Sequence, residues 1–204
     1  MNSSKSQIAF TLKNLIALEA GGAVFSFLIT AFLRRLYVLS GGELIGVLFG
    51  AVNDSVWENT KLIMIAYIFW GLIELLCLRV PFKRFVAAKA ASLCLLAAVH
   101  IIFCLAAFGF AESRETVYLL GSFCILPASA LNIFLLKGDF CVDGWFIPGL
   151  FVLILFWSTY FCFTPFPPRL GIFMDSVTLR YGLIPRNLDV GAFFLCKISL
   201  ILKI

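Results

Sequence analysis

Charge is scarce in this sequence. Lysine, arginine, aspartate and glutamate make up 13% of its 204 residues, against roughly a quarter in a soluble domain. A water-facing shell cannot be built from so few charges, which excludes an ordinary soluble globule. Histidine is scarcer still: His100 is the only one, which argues against a multi-histidine zinc hydrolase. The seven cysteines (Cys77, Cys94, Cys104, Cys124, Cys141, Cys162 and Cys196) contain no C-x-x-C pair, and most lie inside apolar runs. They read as small packing residues rather than as disulfides or metal ligands. No P-loop, H-E-x-x-H, G-x-S-x-G or EF-hand pattern occurs, so the chemistries those motifs carry are not signalled. No metal and no cofactor is expected. No internal repeat is long enough to suggest inverted halves.

Apolar residues are what the chain has in excess. They make up 62% of it, and the mean hydropathy is +1.05. They fall in long runs rather than with a period of two or of 3.6, the mark of bilayer-spanning helices. The expected fold is all-α: a polytopic membrane helix bundle in a single domain covering 1–204. Its spans are expected at about 15–39, 56–78, 86–110, 116–136 and 145–163, five in all, followed by a C-terminal tail, 164–204. The start, "MNSSKSQIAFTLKN", lacks a short apolar core with a small-residue cleavage site, so the first run reads as a retained helix. "SGG" at 40–42 ends the first span. "GELIGVLFGAV" after it is about half a bilayer long and is expected to be a short re-entrant or interfacial helix. Gly42, Gly46 and Gly50 would form one bare stripe there if helical, a surface for helix–helix association. Pro127 is expected to kink the fourth span. "TPFPP" at 164–168 is expected to run extended. Whether residues 190–204 form a further membrane segment is left open by their length.

The formal charge is +5. Its basic residues flank apolar runs, so they are read as setting topology and meeting lipid head groups; no nucleic acid is expected as a partner. One side of the bundle would hold Lys5, Lys13, Arg79, Lys83, Arg84, Lys89 and Lys137. The loops of the other would hold Arg34, Arg35, Lys61 and Arg114, and the basic C-terminal tail adds more. The positive-inside rule then places the N-terminus in the cytoplasm of a cell and the tail outside.

Against this background one polar block stands out: "FGAVNDSVWENTKLIM", residues 49–64. Ser55-Val56-Trp57-Glu58 fits a capping box, in which the serine hydroxyl accepts from the N–H three residues on and the glutamate reaches back to the serine N–H. Asp54 and Glu58 suit a helix N-terminus, and Lys61 can pair with Glu58. The block is therefore a helix start, a working site, or both. Within it, "AVNDSVWENTKL" resembles the P-V-N-E-S-V-W-E-H-L-K-L-like signature of a family of small uncharacterised bacterial multi-pass membrane proteins, a domain of unknown function. "FTPFPPRLGIFMDSVTLRYG", 163–182, is similar to that family's C-terminal stretch. The resemblance implies a fold and a shared site region, and no activity. Ala51 stands in place of the family proline, Asp54 of its glutamate, and Asn59 of a histidine; Ser26 stands near a second family histidine. If the family uses those histidines, this member lacks them.

Two site regions follow. Asn53, Asp54, Glu58, His100 and Asp175 would share an outer vestibule. Glu74 lies 18 residues past Val56, about 27 Å along a helix, so Glu19, Glu74 and Asn132 would share an inner polar cluster unless each pairs with a loop base. Buried ionisable groups in lipid default to function. The leading reading is binding or transport of a small solute, ion or lipid. One alternative is a membrane-embedded enzyme on a lipid or isoprenoid substrate, with the Asp/Glu pair and His100 as acid and base. The other is a structural or partner-binding subunit associating through its glycines.

Overall fold

The computed structural model describes residues 12–78, 80–107, 114–138 and 142–183. The last apolar run, 190–204, lies outside them. Seven α-helices lie in the described residues: α1 (Leu12–Leu39), α2 (Leu44–Phe49), α3 (Val56–Cys77), α4 (Phe82–Ala107), α5 (Arg114–Gly121), α6 (Ile125–Lys137) and α7 (Phe146–Phe163). No strand occurs among them beyond one isolated antiparallel bridge, Met174 with Tyr181. Five stretches are long and apolar enough to cross a membrane: Lys13–Leu39, Val56–Cys77, Phe82–Ala107, Thr116–Lys137 and Val142–Phe163. The all-α polytopic bundle is therefore the architecture, with span edges shifted from the expected ones by a few residues.

Local chemistry explains several boundaries. α1 ends in a Schellman motif. Gly42 N–H donates to Tyr37 O at 2.9 Å and Gly41 N–H to Val38 O at 3.1 Å, with both glycines at positive φ (+80° and +68°). α3 starts at Ser55, whose Oγ accepts from Glu58 N–H at 3.2 Å. The fourth span breaks into α5, a 3₁₀ turn at Ser122–Cys124, and α6. Pro127 sits in the first turn of α6, where its missing N–H is tolerated and its ring disfavours a regular α-turn before it. Arg84 closes α6 at the other end: its Nε and Nη2 donate to Leu135 O at 3.1 Å, and Nη2 also donates to Gly138 O.

The expected glycine stripe takes a different form. Gly42 precedes α2 and Gly50 caps it, so only Gly46 is helical. A Cβ on Gly46 or Gly50 would come within 3.0 Å of the Tyr37 backbone. These glycines let α2 lie directly on the end of α1 in the same chain. "TPFPP" is likewise not simply extended. Thr164 keeps helical angles and Phe166 N–H donates to Cys162 O at 3.1 Å. The chain then folds back over the start of α3.

The bundle has two ends. At one, here the rim, α1, α4 and α7 finish and α3 starts. At the other, the base, α3 and α6 finish and α1, α4 and α7 start. The central apolar core runs between them and includes Leu62, Ile63, Ile65, Leu93, Leu96 and Phe156.

Candidate functional site

The rim holds the polar block. Ser55 provides half of the expected capping box; the other half is rearranged. Glu58 Oε2 reaches past Ser55 to accept from Val52 N–H at 3.1 Å, and Ser55 N–H donates to Asn53 Oδ1 at 3.0 Å. Lys61 pairs with Glu58 at 2.7 Å and donates to Thr164 Oγ1 at 3.1 Å, with Nζ 4.8 Å from the Tyr160 ring centroid. Thr164 Oγ1 lies 3.3 Å from Glu58 Oε1. Glu58 and Lys61 are each 1% exposed, yet their charges cancel and every oxygen and nitrogen has a partner. Lys61 was counted as an outer loop charge; it is buried because it lies in the second turn of α3, facing its acid.

The tail docks beside this pair. Asp54 N–H donates to Asp175 Oδ1 at 2.8 Å, Ser176 Oγ to Asp54 O at 2.8 Å, and Asn53 Nδ2 to Gly182 O at 3.0 Å. Asp175 also accepts from Thr178 N–H at 2.8 Å and Thr178 Oγ1 at 2.5 Å. Burial alone would raise the Asp175 carboxyl, but the Thr178 hydroxyl and the N–H groups of Thr178, Asp54 and Val177 outweigh it and hold it below its usual value. Trp57 packs on Phe173 and Phe163, with ring centroids 5.0 and 5.8 Å apart.

Of the five residues expected to share a vestibule, the structure links Asn53, Asp54 and Asp175 directly, with Glu58 next to them on the same helix start. His100 is elsewhere. It sits against Thr60, with Nδ1 2.8 Å from Oγ1, and Cys104 Sγ lies 3.7 Å from the same nitrogen. Thr60 gives its hydroxyl proton to Val56 O at 2.8 Å, so in that arrangement Nδ1 carries the hydrogen. Glu58 and His100 have no partner in common: Thr60 is two residues from Glu58, which turns it well away around the helix. Asn59 donates to Ser55 O at 2.7 Å and accepts from Arg34, whose guanidinium also lies 4.2 Å from the Tyr118 ring centroid.

The base holds the second cluster. Glu19, Glu74 and Asn132 come together there from α1, α3 and α6, each 2% exposed or less. Asn132 Nδ2 donates to Glu19 Oε1. The residue that sequence reasoning missed is Lys89. It was assigned to the loop before the third span, but α4 starts at Phe82 and buries it, 6% exposed. Its Nζ pairs with Glu74 Oε2, lies 3.8 Å from Glu19 Oε1, and sits 4.1 Å from the Tyr67 ring centroid. Gly71 leaves room for its stem, since a Cβ there would lie 3.4 Å from Lys89 Cε. A lysine inside an apolar run was the available signal.

Unlike the Glu58–Lys61 pair, this cluster is unfinished; among the described residues of the rim only Trp57 Nε1 is buried without a partner. Two carboxylates face one ammonium. Glu19 Oε2, Glu74 Oε1, Asn132 Oδ1, Ser92 Oγ and Tyr67 OH are buried with no hydrogen bond of good geometry. A polar seam continues from it. The buried face of α1 reads Leu15, Glu19, Gly22, Ser26, Thr30, Leu33, while its exposed face carries Val24, Phe27, Leu28 and Phe32. Ser26 Oγ and Thr30 Oγ1 are also unpartnered, as is Trp70 Nε1 of α3, whose indole fills the space left by Gly22. α1 and α3 run antiparallel, with Glu19 level with Glu74, Gly22 with Trp70, and Arg34 with Asn59. The seam thus joins base to rim over about 22 Å of α1.

A family model, the family of unknown function DUF6512, matches residues 13–183. The chain belongs to that family. No curated protein and no solved structure matches it. The match covers both ends of the bundle, including the polar block at 49–64, the base cluster and the tail to Leu183.

Proposed function

We propose that this DUF6512 member binds a single positive charge, a proton or a small monovalent cation, at the base cluster and moves it across the bilayer. The observation that carries the reading is the ligand balance: two buried carboxyl groups, Glu19 and Glu74, share one ammonium, Lys89, so full ionisation would leave one negative charge uncompensated in a buried site. In hydrocarbon such a charge is expensive and marks an ion pathway by default. The open oxygens of Glu19, Glu74 and Asn132 are ligands of the right kind for a positive species. The seam supplies a route: Ser26 and Thr30 place hydroxyls along it, one turn apart, where water can bridge between them. The resemblance to bacterial multi-pass proteins supports the same place, since the two positions where it implies histidines, Ser26 and Asn59, both lie on this seam.

The setting is a cell membrane with the N-terminus, and so the base, in the cytoplasm. Lys61 and Lys89, one from each side, are buried rather than loop charges; the loops between spans still carry more lysine and arginine at the base, while Arg169 and Arg180 of the tail at the rim narrow that bias. The test is flux in reconstituted vesicles carrying a pH-sensitive or a sodium- or potassium-sensitive dye under an imposed membrane potential. Wild type carries protons or one of the cations; Glu74→Gln and Glu19→Gln fall to the rate of protein-free vesicles while remaining folded by thermal unfolding in detergent. Equal flux in wild type and Glu74→Gln, or no flux above empty vesicles in wild type, overturns the reading.

A further inference from the structure

We propose a second, independent site: a groove between α6 and α7 that takes the acyl chain of an anionic phospholipid and holds its head group at the base. The groove has a volume of about 620 Å³, within the range of ligand pockets. α4 packs against both α6 and α7 and forms the floor, with Ala87, Ala91 and Cys94. Phe134 of α6, Trp145 just before α7 and Gly149 of α7 form the walls. The small floor residues make the depression. At Gly149 a Cβ would lie 3.1 Å from Ala87 Cα, so α7 touches the α4 backbone there. Ala91 and Cys94 remain exposed beyond the contact. The lining side chains are almost wholly carbon, which suits a hydrocarbon chain and offers nothing to an ion or a sugar.

The base end of the groove selects the head group. Lys83 precedes Ala87 by one turn on the same face of α4, and Lys137 follows Phe134 by one turn on α6. Both are exposed. Arg84 is fixed beside them by its bonds to Leu135 O and Gly138 O. Exposed Asp143 is the one described acid on the segment that leads into α7 here. Among the described residues, three cations against that acid leave a positive mouth on an apolar slot. Basic pockets between transmembrane helices bind anionic head groups in this way. A neutral or zwitterionic lipid would fit the slot and gain nothing from the mouth. None of these residues belongs to the Glu19–Glu74–Lys89 cluster, so the inference stands or falls separately.

The experiment is native mass spectrometry of the full chain released from micelles holding equal phosphatidylglycerol and phosphatidylcholine. The expected result is one retained phosphatidylglycerol in preference to phosphatidylcholine. Lys83→Ala and Lys137→Ala each lower that preference about fivefold. Ala91→Trp, which fills the slot from an exposed position, removes retention of both lipids; Cys94→Phe does the same should the tryptophan variant unfold. Equal retention of the two lipids by wild type, or retention unaffected by filling the slot, would mean annular lipid only and overturn the proposal. A dimer lost in Ala91→Trp would overturn it as well, by placing a second copy in the groove.

Discussion

α3 carries a buried acid–lysine pair near each end, and the two are built differently. At the rim, Glu58 and Lys61 are three residues apart on one helix; Val52 N–H, Thr164 and the Tyr160 ring complete them. At the base, Glu74 meets Lys89 across two helices, a second acid intrudes from α1, and several oxygens have no partner. A neutral, fully bonded pair holds structure. A pair with surplus charge and open oxygens can accept something. The difference teaches where to look for function among the buried charges of a bundle: not at the densest polar block in the sequence, but at the one the fold leaves incomplete.

The largest expected effect is at the rim. Lys61→Met leaves the Glu58 carboxylate buried and unpaired, which costs about 3–5 kcal/mol. Chemical unfolding in detergent measures it, and adding Glu58→Gln should recover most of the loss. A single-variant cost near zero would remove the distinction between the two ends. The tail comes next. Asp175→Asn forfeits charge-assisted bonds to Asp54 and Thr178, a loss of about 1.5–3 kcal/mol. Limited proteolysis after residue 164 should show the tail released. Because the folded Asp175 carboxyl lies below its ordinary value, its contribution is present above about pH 4 and fades as the pH falls through the lower folded value. Wild type should therefore release the tail only in acid, and Asp175→Asn at all pH values. The smallest effect on stability belongs to the base. Glu74→Gln should cost less than about 1 kcal/mol, because Glu19 remains 3.8 Å from Lys89 and the site becomes neutral. A cost as large as that of Lys61→Met would make the base another structural lock.

Much of the fold was legible in the sequence. The long apolar runs gave the five spans because a bilayer admits few other solutions for such a chain. "SGG" gave the end of α1, and Ser55 the start of α3, because those are local backbone needs. The Glu58–Lys61 pair was legible for the same reason: it is one helical turn. The grouping of Glu19, Glu74 and Asn132 also followed from helix depth alone. His100 did not follow. Depth put it near Glu58, but rotation about the helix axes put it behind α3, against Thr60. Lys89 was missed because four residues at the start of a helix decide whether a lysine is in water or inside the bundle.

Sequence by itself determined the apolar class, the five bilayer-length helices of the described residues and the caps at Ser55 and the SGG turn, since each depends on composition or on neighbours within one turn. Only the tertiary structure decided which polar atoms find partners. That outcome depends on which faces of separate helices meet, and on a tail more than a hundred residues away closing over the rim while nothing comparable closes the base cluster among the described residues.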